Sequence, residues 1–259
     1  MKRILITVLL FLPIFSFGQV NLKNGLVAHY PFNANANDET GNGNDGDIHG
    51  ATLTSDRFGN INSAYSFNGV DNFILISADQ LQNNDFTYSL WMKPLSIPGD
   101  GSFNFIFSIG SQNIDGGGQG LAITKGYISS NDGFSGGGNV VGEYDLFCQT
   151  GVSANVDNWY HLVLTKSKDF YKLYTNGVLM CSTPSNGKNP TYGTSEVRAS
   201  IGNRIGYSGD FVHALIDDIY LYNRALAAEE VTALYQTTKS PPCEGGVIAC
   251  HPFAVVKTK

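Results

Sequence analysis

The residues most able to do chemistry are concentrated in an Asn- and Asp-rich segment, residues 33–47. It runs Asn-Ala-Asn-Ala-Asn-Asp-Glu-Thr-Gly-Asn-Gly-Asn-Asp-Gly-Asp. Short amide and carboxylate side chains on a tightly turning backbone supply the oxygen ligands that a hard cation such as Ca²⁺ requires. The spacing is not that of an EF-hand, because no glutamate closes the segment at its twelfth position. A turn cluster that binds no metal explains the same composition, so both interpretations stay open.

A second chemical feature lies near the C-terminus, where an acid interrupts the apolar face of a predicted strand. Leu215, Asp217 and Leu221 share one strand parity. A carboxylate on an apolar face requires a cation, a set of hydrogen-bond donors or a strand irregularity. Because first and last strands commonly pair in all-β sandwiches, we expect residues 33–47 to lie beside Asp217 and Asp218.

The elements that must position these residues are short strands. Hydrophobic residues make up 42% of the 259 and charged residues 15%, and the chain has 30 glycines, 13 tyrosines and 16 phenylalanines. Around a dozen aromatic-rich segments alternate with turn signals, of which Asn68-Gly69 and Asn176-Gly177 are the strongest. This pattern predicts one all-β sandwich domain, followed by one short helix with Leu226, Val231 and Leu234 at helical spacing.

The N-terminus has the features of a secretory signal peptide. A basic start is followed by an apolar run over residues 4–15, and Ser16 and Gly18 provide the small residues of a cleavage site. The run is short for a membrane anchor, so we divide the chain into a signal peptide (1–18), a domain (19–238) and a tail (239–259). We expect a secreted protein that is extracellular, periplasmic or held at the cell surface, with no membrane span after signal cleavage.

Net charge and cysteine content narrow the possibilities further. The net charge is −6, and no basic cluster follows the N-terminus, so we expect no nucleic-acid partner. Export makes the four cysteines candidates for disulfides, and three pairings are possible. Cys148 and Cys181 both end predicted strands, and Cys243 and Cys250 bracket a short flexible segment. We therefore predict the pairs 148–181 and 243–250, with free buried thiols as the alternative for the first pair.

The order and spacing of several motifs resemble a laminin-G-like domain of the concanavalin A-like superfamily. The likeness covers about Gly25 to Tyr235, nearly the whole exported chain. Its motifs are Gly25-Leu-Val-Ala-His-Tyr-Pro-Phe, Phe67-Asn-Gly-Val-Asp, Phe86-Thr-Tyr-Ser-Leu-Trp-Met-Lys-Pro, Trp159-Tyr-His-Leu-Val-Leu-Thr, Leu173-Tyr-Thr-Asn-Gly-Val and Ile216-Asp-Asp-Ile-Tyr-Leu-Tyr-Asn-Arg-Ala-Leu.

This resemblance implies a two-sheet antiparallel jelly-roll sandwich and a calcium site where the Asn/Asp segment meets the last strand. By position, Asp38 and Asn44 would offer side chains from the segment, and Asp217 would offer one from the strand. Asp218 is a rival ligand, because a β-bulge would exchange the two faces of the strand.

Catalysis has weaker support than binding. Glucanases on this fold use a Glu-x-Asp-x-x-Glu strand; Glu143-Tyr-Asp145 begins like that motif, but Cys148 stands at its last position. Retaining hydrolysis needs the second carboxyl. We therefore predict a non-catalytic carbohydrate-binding or adhesion module with a glycan, cell-surface or matrix partner, and we leave open whether it is an enzyme. The alternatives are a polysaccharide-degrading glycosidase or lyase, and a structural module that interacts with proteins.

Aromatic side chains on predicted loops are candidates for sugar stacking. Tyr127, Phe134 and Tyr207 lie on or beside such loops. Each of these rings is as compatible with packing inside the protein as with ligand binding.

Overall fold

The computed structural model describes residues 20–111, 118–125, 133–140, 143–151, 153–193, 196–206 and 209–240. Within them the chain forms fifteen strands and one helix. The strands are β1 (Leu26–Tyr30), β2 (Asp47–His49), β3 (Thr52–Thr54), β4 (Ala64–Asn68), β5 (Phe73–Ser77), β6 (Phe86–Pro94), β7 (Ser102–Ser111), β8 (Gly118–Lys125), β9 (Gly133–Val140), β10 (Glu143–Gln149), β11 (Tyr160–Lys166), β12 (Phe170–Thr175), β13 (Val178–Pro184), β14 (Val197–Ile201) and β15 (His213–Tyr222). Helix α1 covers Ala228–Thr238.

These strands build two antiparallel sheets. The eight-stranded sheet has the order β13-β12-β11-β6-β15-β4-β3, with β1 also paired to β15, and the seven-stranded sheet has the order β10-β9-β8-β7-β14-β5-β2. The predicted jelly-roll sandwich with one short helix is therefore confirmed. The expected pairing of the first and last strands is also present, with Tyr30 opposite Ile219.

The hydrophobic residues form one core between the sheets and a second one under the helix. Inward-facing side chains such as Tyr88, Phe107 and Ile216 fill the space between the sheets. On the other side of the eight-stranded sheet, Tyr222 and Val163 pack against α1. The helix therefore covers part of the outer face of this sheet. Among the described residues, no helix is long and apolar enough to cross a membrane.

A disulfide joins the edges of the two sheets. Cys148 on β10 is bonded to Cys181 on β13, each belonging to the edge strand of its own sheet. The predicted 148–181 pair is thus confirmed. The second predicted pair, Cys243 with Cys250, lies outside the described residues.

We expect replacement of both bonded cysteines by serine to lower the free energy of unfolding. The disulfide closes a segment with a sequence separation of 33 residues. Loss of this constraint on the unfolded chain should cost about 3–4 kcal/mol. Urea unfolding of the Cys148→Ser/Cys181→Ser variant measures the loss, and reductant added to the wild type should reproduce it. A wild type whose stability does not respond to reductant would contradict this prediction.

Candidate functional site

The Asn/Asp segment is organised around the carboxylate of Asp38. This residue is only 7% exposed. Its oxygens accept hydrogen bonds from the backbone amides of His29 (3.1 Å), Thr40 (3.0 Å) and Asn44 (3.3 Å) and from the Thr40 hydroxyl (2.7 Å). Burial alone would raise the pKa of Asp38, but these bonds stabilise the charged form and lower it. The carboxylate is therefore ionised at neutral pH.

A backbone carbonyl completes the cluster. The oxygen of Val27 lies 3.2 Å from the Thr40 hydroxyl, 2.8 Å from the side-chain amide of Asn42 and 3.2 Å from that of Asn44. The Asn44 amide also lies 3.1 Å from the Asp38 carboxylate. A half-turn of each amide would present its oxygen in place of its nitrogen. One carboxylate, one carbonyl, one hydroxyl and two amides then converge, a set of oxygens that suits Ca²⁺.

The structure brings Asp38 and Asn44 together but gives Asp217 a different partner. A β-bulge interrupts the pairing of β15 with β6 between Asp217 and Tyr220, and Asp218 has a positive φ of 46°. Strict alternation predicted that Leu215, Asp217 and Leu221 share one face. In the structure, Leu215 and Asp217 lie on the face opposite to that of Leu221. Ile216 and Leu221 both lie in the core between the sheets, which the bulge makes possible by shifting the alternation by one residue.

Arg57 binds both acids at this bulge. Its two terminal nitrogens donate to Asp217 and Asp218, and its Nε donates to the carbonyl of Thr238 at the end of α1 (3.1 Å). The guanidinium lies 4.6 Å from the centre of the Trp91 ring, a cation–π contact. Asp217 thus has a basic side chain as its partner. Among the described residues, no group of three His, Cys, Asp or Glu side chains could hold a metal, and the role of Asp38, Asn44 and Asp217 as metal ligands stays a prediction.

The two acids titrate differently because burial dominates at Asp217, whereas contacts with His29 and Arg57 outweigh burial at Asp218. Burial and the neighbouring Asp218 carboxylate raise the pKa of Asp217 to about 8, and the charge of Arg57 only partly offsets this. Burial would also raise the pKa of Asp218, but His29 and Arg57 outweigh it and lower the pKa. At mildly acidic pH the cluster therefore holds one proton on Asp217.

A further feature lies on the outer face of the seven-stranded sheet. We call it the aromatic strip; its members are His49, Phe73, Phe211, Phe105 and Phe103. His49 stacks on Phe73 at 4.4 Å between ring centres, Phe73 lies 6.4 Å from Phe211, Phe211 is bridged to Phe105 by the backbone, and Phe105 lies 5.2 Å from Phe103. The strip crosses the sheet from its edge strand β2 to β7.

Charged groups accompany the aromatic strip at its β7 end. The guanidinium of Arg204 lies 5.4 Å from the centre of the Phe105 ring and 5.9 Å from that of Phe103. It also lies 3.9 Å from the carboxylate of Asp210. Burial raises the pKa of Asp210, and the charge of Arg204 partly offsets the change.

The same end opens into a cavity that we call the rim cavity. It has a volume of about 340 Å³ and is lined by Phe103, Asn104, Gly209 and Asp210 together with loop residues such as Pro98 and Gly99. The backbone amide of Phe105 donates to the carbonyl of Asp210 (3.0 Å). This bond holds Asp210 beside β7, where it lines the cavity together with Gly209.

Of the three predicted stacking residues, the structure describes only Phe134. Phe134 is 2% exposed, and its ring packs edge-on against Tyr160 at 5.0 Å, so a surface ligand has no access to it. Tyr127 and Tyr207 lie outside the described residues, as do the side chains of Glu143 and Asp145. The sequence signal for the strip was the Phe103/Phe105 pair at i, i+2, which alone does not show which face of the strand meets solvent.

We expect Asp217→Asn to remove a pH dependence from the stability. In the unfolded chain Asp217 loses its proton near its ordinary pKa of 3.8, whereas in the folded protein it keeps the proton up to about pH 8. Folding takes up a proton between these values, so the free energy of unfolding of the wild type falls as pH rises, by at most about 1.4 kcal/mol per pH unit. Urea unfolding at several pH values measures the effect: the free energy of unfolding of the variant relative to that of the wild type should rise from about pH 5 to about pH 8.

The matched control for this experiment is Asp79→Asn, at an exposed position. Its stability relative to the wild type should be the same at every pH in that window. A difference between Asp217→Asn and the wild type that is also constant would show that Asp217 is ionised throughout in the folded protein.

Comparison with known proteins identifies the family of this chain. A laminin G family of the Concanavalin A-like lectin/glucanases superfamily matches residues 68–232. The human adhesion G-protein coupled receptor D1 is 35% identical over 80 residues, which are 30% of this chain and 9% of the receptor. The matched region thus corresponds to less than a tenth of that relative.

Solved structures share the fold at lower identity. Domain 4 of AbnA, a GH43 extracellular arabinanase from Geobacillus stearothermophilus, in complex with arabinotriose, has a TM-score of 0.63 and 22% identity, covering 82% of this chain and 98% of that domain. The receptor binding domain of botulinum neurotoxin C/D mosaic serotype has a TM-score of 0.63 and 15% identity, covering 84% and 52%. Trypanosoma rangeli sialidase has a TM-score of 0.58 and 19% identity, covering 83% and 33%. The family match over most of the described chain, on a two-sheet sandwich, shows that this protein belongs to the concanavalin A-like lectin/glucanase superfamily, in its laminin G branch.

Proposed function

We propose that this protein is a secreted, non-catalytic carbohydrate-binding or adhesion module that uses the aromatic strip as its binding surface. The observation that carries the proposal is the series of rings across one sheet face, with Arg204 and Asp210 at its end. Sugars offer apolar C–H surfaces that pack on aromatic rings, and hydroxyls that bond to charged and amide groups. A strip with both kinds of group matches both parts of a glycan.

The arrangement of the sandwich favours this face over the opposite one. Helix α1 covers part of the outer face of the eight-stranded sheet, where Tyr222 and Val163 are buried under it. On the seven-stranded sheet, the residues of β8 beside the rings are small: Ala122 stands opposite Phe105, and Gly120 stands opposite Ser108. An added Cβ at Gly120 would lie 2.7 Å from the Phe105 ring. This ring therefore packs closely on β8 and supports its half-buried neighbour Phe103 from below.

The related structures support a glycan as ligand. The arabinanase domain was solved in complex with arabinotriose, and the neurotoxin domain is a receptor binding domain. Export is supported by the predicted signal peptide and the Cys148–Cys181 disulfide, since disulfides persist in oxidising compartments. The partner is then a glycan, or a surface or matrix protein, outside the cytoplasm.

A glycosidase is the second candidate, because arabinanase and sialidase chains are among the structural relatives. It makes a different prediction for the same oligosaccharides. Release of sugar from a panel of neutral oligosaccharides, with loss of release on changing Glu143 or Asp145, would replace the binding proposal by an enzymatic one.

We expect Phe103→Ala and Phe73→Ala to weaken glycan binding. Each removes a ring from the strip, and loss of a central aromatic contact typically costs about tenfold or more in affinity. The measurement is isothermal titration with neutral oligosaccharides of arabinose, xylose, glucose and galactose. Phe170→Ala is the matched control, because Phe170 is 40% exposed on β12 of the other sheet. Equal affinity in all four proteins would exclude the strip as the binding surface, and binding of no glycan would contradict the function itself.

Calcium bound at the Asp38 cluster is the second part of the proposal. Asp38, Asn44, Asn42, Thr40 and the Val27 carbonyl would hold the ion. The ion would supply positive charge beside the buried carboxylate of Asp38, which the hydroxyl, amide and carbonyl groups of the cluster surround. Its expected role is structural, since the cluster fastens the segment between β1 and β2 to the first strand.

Calcium should raise the melting temperature of the wild type, and a chelator should reverse the change. A ligand at 100 times its Kd stabilises by about 2.7 kcal/mol. Asp38→Asn and Asn44→Ala should abolish both this shift and the heat of calcium binding in titration calorimetry. Asp217→Asn should keep both, because the Asp217 carboxylate is already bonded to Arg57. Loss of calcium binding in Asp217→Asn would instead place the strand carboxylate in the ligand set.

A further inference from the structure

We infer that the rim cavity is a subsite for the terminal unit of a neutral glycan, and that the following units lie along the aromatic strip. This inference rests on the proposed function and adds two properties to it: recognition of a chain end, and rejection of acidic sugars. Three observations lead to it.

The first observation is that the cavity and the strip are continuous. Phe103 lines the cavity and is also the last ring of the strip. A chain that stacks on the strip therefore reaches the cavity at Phe103. The cavity lies where β7 begins, between the loop that precedes this strand and residues 209–210.

The second observation is the size and chemistry of the cavity. Its volume of about 340 Å³ suits one or two sugar units. The residues that line it include Phe103, Asn104 and Asp210. The carboxylate of Asp210 and the polar backbone groups of the lining loops are partners for the hydroxyls of a sugar, and Phe103 stands where the cavity meets the strip.

The third observation is the charge. Among the described residues that line the cavity, Asp210 is the only charged one. Arg204 is 3.9 Å from it and also lies over the rings of Phe103 and Phe105. A carboxylate accepts hydrogen bonds from hydroxyl groups and repels a second carboxylate. The cavity therefore selects neutral sugars over uronic or sialic acids.

The test uses matched sugars and variants of the full exported chain. Galacto-oligosaccharides and oligogalacturonides of equal length differ chiefly in charge, and we expect the neutral series to bind at least about tenfold more tightly. Asp210→Ala should weaken binding of the tightest neutral oligosaccharide by about 10- to 100-fold, because it removes a charged hydrogen-bond acceptor. Asp210→Asn should reduce the preference for the neutral series. Asp79→Asn, at an exposed position, is the control and should change nothing.

Two further measurements test the recognition of a chain end. An added Cβ at Gly209 meets nothing within 4 Å and its φ is ordinary, so the variant Gly209→Leu should fold. Because Gly209 lines the cavity, we expect the leucine side chain to occupy it and to weaken binding. We also compare oligosaccharides that are modified at the non-reducing end with oligosaccharides that are modified at the reducing end. Only one of these two modifications should weaken binding relative to the unmodified sugar. Far-UV circular dichroism and thermal melts confirm folding of each variant.

The outcomes separate this inference from the proposed function. If glycans bind and Phe103→Ala weakens them, but Asp210→Ala, Gly209→Leu and both end modifications have no effect, the strip binds internal segments and the inference is overturned. Tighter binding of oligogalacturonides would overturn the assignment to neutral sugars. If no glycan binds, the proposed function fails as well.

Discussion

A buried cation shared by two adjacent acids holds together parts of this protein that are distant in sequence. Arg57 comes from the turn between β3 and β4, Asp217 and Asp218 from the bulge of β15, and Thr238 from the end of α1. Desolvation makes each of these charges costly alone. The interaction therefore acts as a geometric constraint. It keeps both acids of the bulge directed toward Arg57, and it fixes the C-terminal end of α1 against the eight-stranded sheet. The arrangement of the two faces of the molecule depends on it.

The helix that Arg57 holds in place gives the two sheets different roles. On the eight-stranded sheet, aromatic side chains that point outward, such as Trp91 and Tyr222, are buried against α1. On the seven-stranded sheet, the rings of Phe73, Phe103 and Phe211 are only half-buried. The same residue type thus stabilises the fold on one side and remains available for recognition on the other. This division favours a binding module that keeps its ligand surface apart from the elements that stabilise it.

The Asp38 cluster and the Arg57 cluster solve the same physical problem by different means. Both bury acidic side chains beside the pair formed by β1 and β15. Asp38 is stabilised by amide and hydroxyl donors, most of them from its own loop, which lower its pKa. Asp217 lies against a guanidinium and a second carboxylate in a buried setting, which leaves its pKa raised. The environment of Asp38 suits a hard cation, whereas the environment of Asp217 already contains the guanidinium of Arg57.

Local patterns in the sequence predicted the fold, the Cys148–Cys181 pair and the gathering of Asp38 with Asn44. These features depend on alternation, turn residues and short separations, which are visible along the chain. The partner of Asp217 was not visible, because Arg57 is 160 residues away and the bulge at Asp218 shifts the alternation. The burial of Phe134 and the partial exposure of Phe103 could not be predicted either, since either face of a strand can meet the core. The sequence by itself determined which residues form strands and turns, because alternation and turn residues are local. The packing of two sheets and a helix decided which faces meet solvent, because burial depends on neighbours from distant parts of the chain.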